Sequence, residues 1–280
     1  MDYTDQIVIV TGASAGIGRA TALAFARRGA IVVAVARRQG RLAELIAECQ
    51  EHSPKSMYLA GDLGTREFAY RIIDDTAERF GRVDVLINNA AVPVHQNFYD
   101  ITVEQAERAI QVNFMSVLWT TFAVVPYMLK QESGSIINIS SFASKVVPPF
   151  EAVYAASKAA INGLTEGLWN DLAGSNIHVG LICPGPFDTE MWDNRDTQTG
   201  YEGKRYPPSL MVRAIFRSIE NRVLEMVVPG TDPGMLAARF LRVTFPGILR
   251  RGMARMDGVP AEAIKKARAL AILGKRLGER

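Results

Sequence analysis

Short β-branched runs alternate with longer segments of helical period along most of the chain. Residues 7–10, 31–36, 56–60, 83–88, 135–140, 178–183 and 224–228 predict strands, several without the polar alternation of a half-exposed sheet. Between them, 19–28, 40–51, 65–80, 103–129, 154–172 and 208–221 predict helices. A strand followed each time by a helix implies a parallel sheet wrapped on both faces. Right-handed crossovers make that an α/β, doubly wound, Rossmann-like sheet of about seven strands. No internal repeat or low-complexity tract interrupts residues 1–228, so one such domain is expected there, with a helical extension over 229–280.

Composition narrows the class. With 280 residues and 48% hydrophobic content, the chain can bury a sizeable core. It carries no uninterrupted apolar run of membrane-spanning length. Its acidic start (Asp2, Asp5) meets the first apolar run at Ile7, leaving no room for a secretory signal. Cys49 and Cys183 alone build neither a disulfide framework nor a zinc site, and His52, His95 and His178 lack ligand spacing. The expectation is a cytoplasmic protein without a metal. The net charge of +3 is unevenly spread: residues 229–280 hold eleven Lys/Arg against four Asp/Glu, and the remainder is net acidic. The extension therefore asks for its own explanation.

The segment Thr11-Gly12-Ala13-Ser14-Ala15-Gly16-Ile17-Gly18 joins the first predicted strand to the first predicted helix. Gly12 permits a tight turn, Gly16 lets backbone approach a pyrophosphate, and Gly18 lets helix and strand pack closely. The helix start then offers unpaired N–H groups to an anion. A glycine trio alone is a weak signal, but the strand–helix context strengthens it. At the end of the second strand the chain reads Ala36-Arg37-Arg38, with no carboxylate to bond ribose hydroxyls. Arg37 and Arg38 favour the 2′-phosphate of NADP(H) over NAD(H); the bland reading is two solvated arginines opening a surface helix.

With these motifs in order, the sequence resembles the short-chain dehydrogenase/reductase (SDR) family over about residues 5–228. The glycine segment has the family's TGxxxGxG form. Asp62-Leu63 stands where family members bond the adenine, and Asn88-Asn89-Ala90 matches the family's NNAG stretch, with Ala91 in place of its glycine. Asn113 matches the family's structural and proton-relay asparagine. Ser141, Tyr154 and Lys158 match its serine and YxxxK. Pro184-Gly185, Phe187 and Thr189 fall in the segment that holds the nicotinamide. The resemblance implies an oxidoreductase interconverting carbonyl and alcohol, and a homodimer or homotetramer built on the helices of Asn113 and Tyr154.

The chemistry is intelligible from the residues. A carbonyl that accepts hydride becomes an alkoxide and needs a proton, which Tyr154 can give. A free phenol, with a pKa near 10, is a poor base for the reverse reaction. Lys158 lies one helical turn on and, with an oxidised nicotinamide, is expected to draw that pKa down. Ser141 is expected to stabilise the developing alkoxide, and Asn113 to hold a water behind Lys158. A dinucleotide-sensing protein without turnover, or an SDR-type epimerase or dehydratase, is the rival reading; the first would be marked by loss of the tyrosine or lysine, and both are present.

Loops beyond the carboxyl ends of the strands should form the substrate pocket. They supply Phe142, Val146, Val147, Pro148, Pro149 and Phe150, then Phe187, Met191 and Trp192, which favours a hydrophobic carbonyl over a sugar or small hydroxy acid. The polar stretch 193–206 has the composition of a lid. In the extension, Leu236, Phe240 and Val243 share a helical face beside Arg239 and Arg242. Peripheral membrane contact through 235–255, a cover over the cleft and a subunit contact all stay open. Nucleic-acid binding is not expected, because no aromatic stacking platform accompanies the arginines.

Overall fold

In the computed structural model, which describes residues 2–193, 203–256 and 261–272, seven strands form. They are β1 (Ile7–Thr11), β2 (Ile31–Ala36), β3 (Met57–Ala60), β4 (Val85–Asn88), β5 (Gly134–Ile139), β6 (Ile177–Pro184) and β7 (Glu225–Val228). All pair in parallel, in the order β3-β2-β1-β4-β5-β6-β7. The progression reverses between β1 and β4, and a ligand crevice opens at such a switch point beyond the strands' carboxyl ends.

The missing polar alternation has a direct cause. Val8 and Val10 face one apolar layer, with Phe25, Leu42, Leu45 and Met211. Ile7 and Ile9 face the other, with Phe68, Ile72, Val124 and Met128. Neighbouring strand residues point to opposite faces, so a sheet covered twice needs apolar residues at every position. Helices α1 (Gly16–Ala26) and α2 (Gln39–Gln50) cover the first side, and α3 (Arg66–Phe80) the second.

The helix expected over 103–129 forms in three parts: α4 (Val103–Ile110), a π-turn at Gln111–Met115, and α5 (Ser116–Lys130). Thr102 and Gln105 close a capping box at its start. The π-turn inserts one extra residue, a device common at functional sites, and it carries Asn113. Residues 103–130 are apolar and long enough to cross a bilayer by composition, but half of their most apolar window is buried within the protein. This is a core helix. Helices α6 (Ala152–Asp171) and α7 (Pro208–Asn221) complete the layers.

Beyond β7 follow α8 (Pro233–Thr244), α9 (Pro246–Met256) and α10 (Ala261–Ile272). Asp232 anchors α8: one carboxylate oxygen accepts from Met235 N at 2.9 Å and the other from the Tyr206 hydroxyl at 2.6 Å. Met235 is buried, and Arg242 donates to the Ser144 carbonyl at 3.4 Å. The opposite side of the extension is open. Of the exposed large apolar residues among the described ones, Leu236, Phe240, Val243, Phe245 and Ile248 cluster within residues 236–248. Most of the polar stretch read as a lid lies outside the described residues.

Candidate active site

A cleft of about 420 Å³ opens at the switch point between β1 and β4. Its floor is the turn after β1, where Gly12 and Gly16 have φ of +66° and +52°. A Cβ at Gly12 would stand 2.8 Å from Ala90 Cα, and one at Gly16 2.9 Å from Thr189 Cγ2. No side chain caps α1, and its first turn holds no acidic residue. Its N–H groups therefore stay available to an anion.

Ser14, Ala15, Ile17, Arg37, Arg38, Asp62, Leu63, Asn89 and Ala90 line this cleft, with Thr189 and Met191 opposite. Gly18, by contrast, packs against the Gly12 carbonyl and the Asn89 side chain beneath the loop. Asn89 acts from below as well, donating to Thr11 O at 2.9 Å, while the Thr11 hydroxyl accepts from the Asn89 and Ala90 backbones. The glycine loop is thus tied to the end of β4.

Pattern reasoning missed two lining residues that carry charge. Arg108 donates to Asp62 at 2.6 Å, and this hydrogen bond holds the Asp62 carboxyl below the usual carboxylate range. Glu190 reaches across the cleft to Arg38 at 2.8 Å and to Arg41, and these bonds depress its own pKa. Arg38 also donates to the Ser14 hydroxyl at 2.9 and 3.1 Å. The Arg38 guanidinium therefore stands over the glycine loop, held between a hydroxyl and a carboxylate.

Behind the cleft, Ser141, Tyr154 and Lys158 come together. Ser141 follows β5; its Oγ accepts from Ala143 N at 3.1 Å, opening a 3-10 turn at Phe142–Ser144, and its hydroxyl stands beside the Tyr154 phenol and acts to lower its pKa. Lys158 is 2% exposed; its Nζ donates to Ile139 O at 2.9 Å and lies 5.9 Å from the Tyr154 ring centre. Burial lowers its pKa to about 8. The expected direction for Tyr154 is reversed when the protein's own groups act alone. Burial raises it first, the Glu151 charge adds to that, and only the Ser141 hydrogen bond opposes. Lys158 lies one turn on as the spacing required, but it does not overcome desolvation.

Asn113 is fully buried. Its Oδ1 accepts from Val92 N at 2.7 Å, and its Nδ2 donates to Val92 O and Ser157 Oγ at 3.0 and 3.1 Å. Both side-chain donors fasten the loop after β4 to α6.

The expected substrate residues divide. Met191 lines the cleft, Phe142 is half-buried and Val147 is exposed. The Phe187 ring lies in the core beside Tyr206, which removes it as a pocket wall; its carbonyl accepts from Trp192 Nε1 at 2.7 Å. Pro184 closes β6, and Gly185 packs against Met235 of α8. Trp192 stacks on His95, with ring centres 5.6 Å apart and planes 7° from parallel. His95 also lies 5.6 Å from the Tyr154 ring and pairs with Glu151 at 2.6 Å. Neither member of this pair was singled out from the sequence. The one available signal was their placement, two ionisable residues in the loops flanking the site.

The model of the family described as short chain dehydrogenase matches residues 6–200. The chain belongs to the short-chain dehydrogenase/reductase family. It is 36% identical over 191 residues to the 3-oxoacyl-[acyl-carrier-protein] reductase FabG of Thermotoga maritima, covering 68% of this chain and 78% of the relative. A Burkholderia phymatum SDR in complex with NAD superposes with a TM-score of 0.79 at 25% identity, over 89% of this chain and 96% of the other. A Sphingobium yanoikuyae short-chain dehydrogenase in complex with NADPH gives 0.75 at 29% identity, over 91% and 97%. The SDR described here is thus an oxidoreductase of the type that acts on CH–OH and C=O groups.

Proposed function

We propose that the protein is an NADP(H)-dependent carbonyl reductase, working reversibly on hydrophobic ketones, aldehydes or alcohols with Tyr154 as general acid and base. The observation that carries this reading is the buried Tyr154 phenol, with Ser141 beside it and Lys158 behind it, next to a glycine-cradled cleft. The residues fit a nicotinamide dinucleotide. The uncapped start of α1 and the turn at Gly12 and Gly16 suit its pyrophosphate, and the solved neighbours carry NAD or NADPH. When bound, the dinucleotide supplies or accepts the hydride. Tyr154 gives its proton to the forming alkoxide, Ser141 donates a hydrogen bond to the same oxygen, and Lys158 presents an ammonium to the nicotinamide ribose and the phenolate. Pro184, Gly185 and Thr189 are assigned to the carboxamide end.

The choice of NADP(H) rests on Arg38. Its guanidinium lies at the end of β2 against Ser14, where a 2′-phosphate would meet charge-assisted hydrogen bonds. Glu190 now partners Arg38 and Arg41, so its carboxylate stands in for that phosphate. Replacing Arg38 by Ala should weaken NADPH binding by about 10- to 100-fold and leave NADH nearly unchanged. Glu190→Gln should tighten NADPH binding several-fold. Fluorescence titration with both dinucleotides checks both expectations; equal losses for NADH and NADPH would contradict the 2′-phosphate assignment.

Residues 229–280 form an appended element in this reading. One side of α8 seats near the site through Met235, Asp232 and Arg242. The other side, with Phe240 61% and Val243 83% exposed beside Arg239, suits an anionic membrane surface as a peripheral contact. Flotation with vesicles containing phosphatidylserine should recover the wild type and lose the Phe240→Ser/Val243→Ser variant. Equal recovery of the two would remove the membrane contact. Phe122 on α5 and the open space around Gly163 on α6 favour a homodimer or homotetramer through those helices. Free buried Cys49 and Cys183 suit a reducing, cytoplasmic setting.

The test of the whole reading is an NADPH-oxidation screen over carbonyl compounds of graded chain length, alongside polyols and hydroxy acids. Rates that rise with chain length support it, and a preference for polyols would overturn the substrate class.

A further inference from the structure

Two ionisable side chains stand beside the catalytic phenol without a task in the chemistry above. His95 is 3% exposed and Glu151 7%, and they meet at 2.6 Å between Nδ1 and Oε1. The contact is off the hydrogen-bond axis, and His95 Nε2 and Glu151 Oε2 are buried without a hydrogen-bond partner. Burying such a pair is expensive, and orphaned polar atoms in a core ask for a reason.

The local backbone is arranged around the pair. Glu151 occupies the N-cap position of α6, where a carboxylate would ordinarily accept from the helix's own N–H groups. It does not cap; it turns to His95 instead. The preceding Phe150 has φ +64°, a left-handed conformation costly for an aromatic residue, and such strain concentrates at ligand sites. The His95 ring is meanwhile fixed between Trp192, stacked 5.6 Å away, and the Tyr154 ring at 5.6 Å. Among the described residues, Nε2 has no hydrogen-bond partner in the protein.

We propose that His95, held by Glu151, binds a second oxygen function on the substrate, separate from the reacting carbonyl. This rests on the carbonyl-reduction reading and narrows it to hydrophobic ketones that bear another hydroxyl or carbonyl. Nδ1 faces the Glu151 carboxylate, which leaves Nε2 as the ring nitrogen for the substrate. A neutral imidazole then accepts at Nε2 from a substrate hydroxyl, and an imidazolium donates there to a substrate carbonyl.

Three eight-carbon methyl ketones separate the cases: 2-octanone, 4-hydroxy-2-octanone and 2,4-octanedione. Wild-type kcat/KM should favour one of the oxygenated ketones over 2-octanone by about 10- to 100-fold, the span of one hydrogen bond to a charged group. His95→Leu should erase that preference while leaving 2-octanone within about threefold, and Glu151→Gln should retain part of it. Preference for the hydroxyketone identifies an accepting Nε2, and preference for the dione a donating one. No preference in the wild type overturns the proposal. So does an equal loss on all three ketones in His95→Leu, which is what a purely structural pair would give. A binding arm frees the result from turnover. Calorimetry of the three ketones against Tyr154→Phe protein saturated with NADPH should show the same order, and His95→Leu in that background should flatten it. Equal affinities there count against His95 whatever the turnover; a flattened order supports it even if the carbonyl-reduction reading fails.

Discussion

Tyr154→Phe cuts carbonyl turnover by about a thousandfold or more and leaves dinucleotide affinity within a fewfold of wild type. General acid catalysis contributes about 10²- to 10⁴-fold, and loss of an alkoxide-directed hydroxyl adds to that. The ring itself stays. Tyr154 is 7% exposed and packs with Val94 and Ala143, so phenylalanine keeps its apolar contacts and removes only the oxygen. Steady-state rates with a reducible ketone, beside fluorescence titration of NADPH, check both halves. A variant that retains a tenth of wild-type turnover would move the proton donor elsewhere.

Lys158→Met is expected to lose about 100-fold or more in kcat/KM while becoming more stable to heat at neutral pH. The two effects have one origin. Burial lowers the Lys158 pKa from 10.5 to about 8, so the folded protein holds that proton less tightly than the unfolded chain. Below pH about 8 the ammonium is charged in both states and its desolvation counts fully against folding. Between about 8 and 10.5 the unfolded chain binds more protons, so stability rises with pH through that window. Methionine removes the buried charge, at the smaller loss of one hydrogen bond to Ile139 O. Activity runs the other way. The ammonium is lost from the free enzyme as pH climbs through about 8, so kcat/KM for the dinucleotide should fall above that pH in the wild type. That limb should be absent in Lys158→Met. Thermal melts and a pH profile of both proteins read this directly.

The elements that could be read from residues are those whose cause is local or periodic. β1 up to Val10 and all of β2 are apolar at every position because both faces are covered, and a period of two collapses to a continuous run. The helix at Pro208–Asn221 begins where a proline suits the first turn. The glycine loop was legible because three glycines at one spacing meet three separate steric demands. The π-turn at Gln111–Met115 was not, since one inserted residue barely disturbs an apolar periodicity. Contacts across the cleft escaped for a different reason. Arg38 and Glu190 are 152 residues apart and Arg108 and Asp62 are 46 apart, distances that only the folded sheet closes. For the Tyr154 phenol, spacing reports where Lys158 stands but not how much water the fold removes. Desolvation and the Glu151 charge are tertiary facts, and they outweigh the neighbour one turn away.

The central assertion is direct passage of hydride between the dinucleotide and a substrate carbon, with Tyr154 completing the alcohol. Reduction with NADPH deuterated at nicotinamide C4, on the face from which hydride leaves, tests it most directly. One deuterium should appear on the carbinol carbon of the product, and the transfer should vanish with Tyr154→Phe. Product formed without label from either face, or labelled equally well without the phenol, would contradict it.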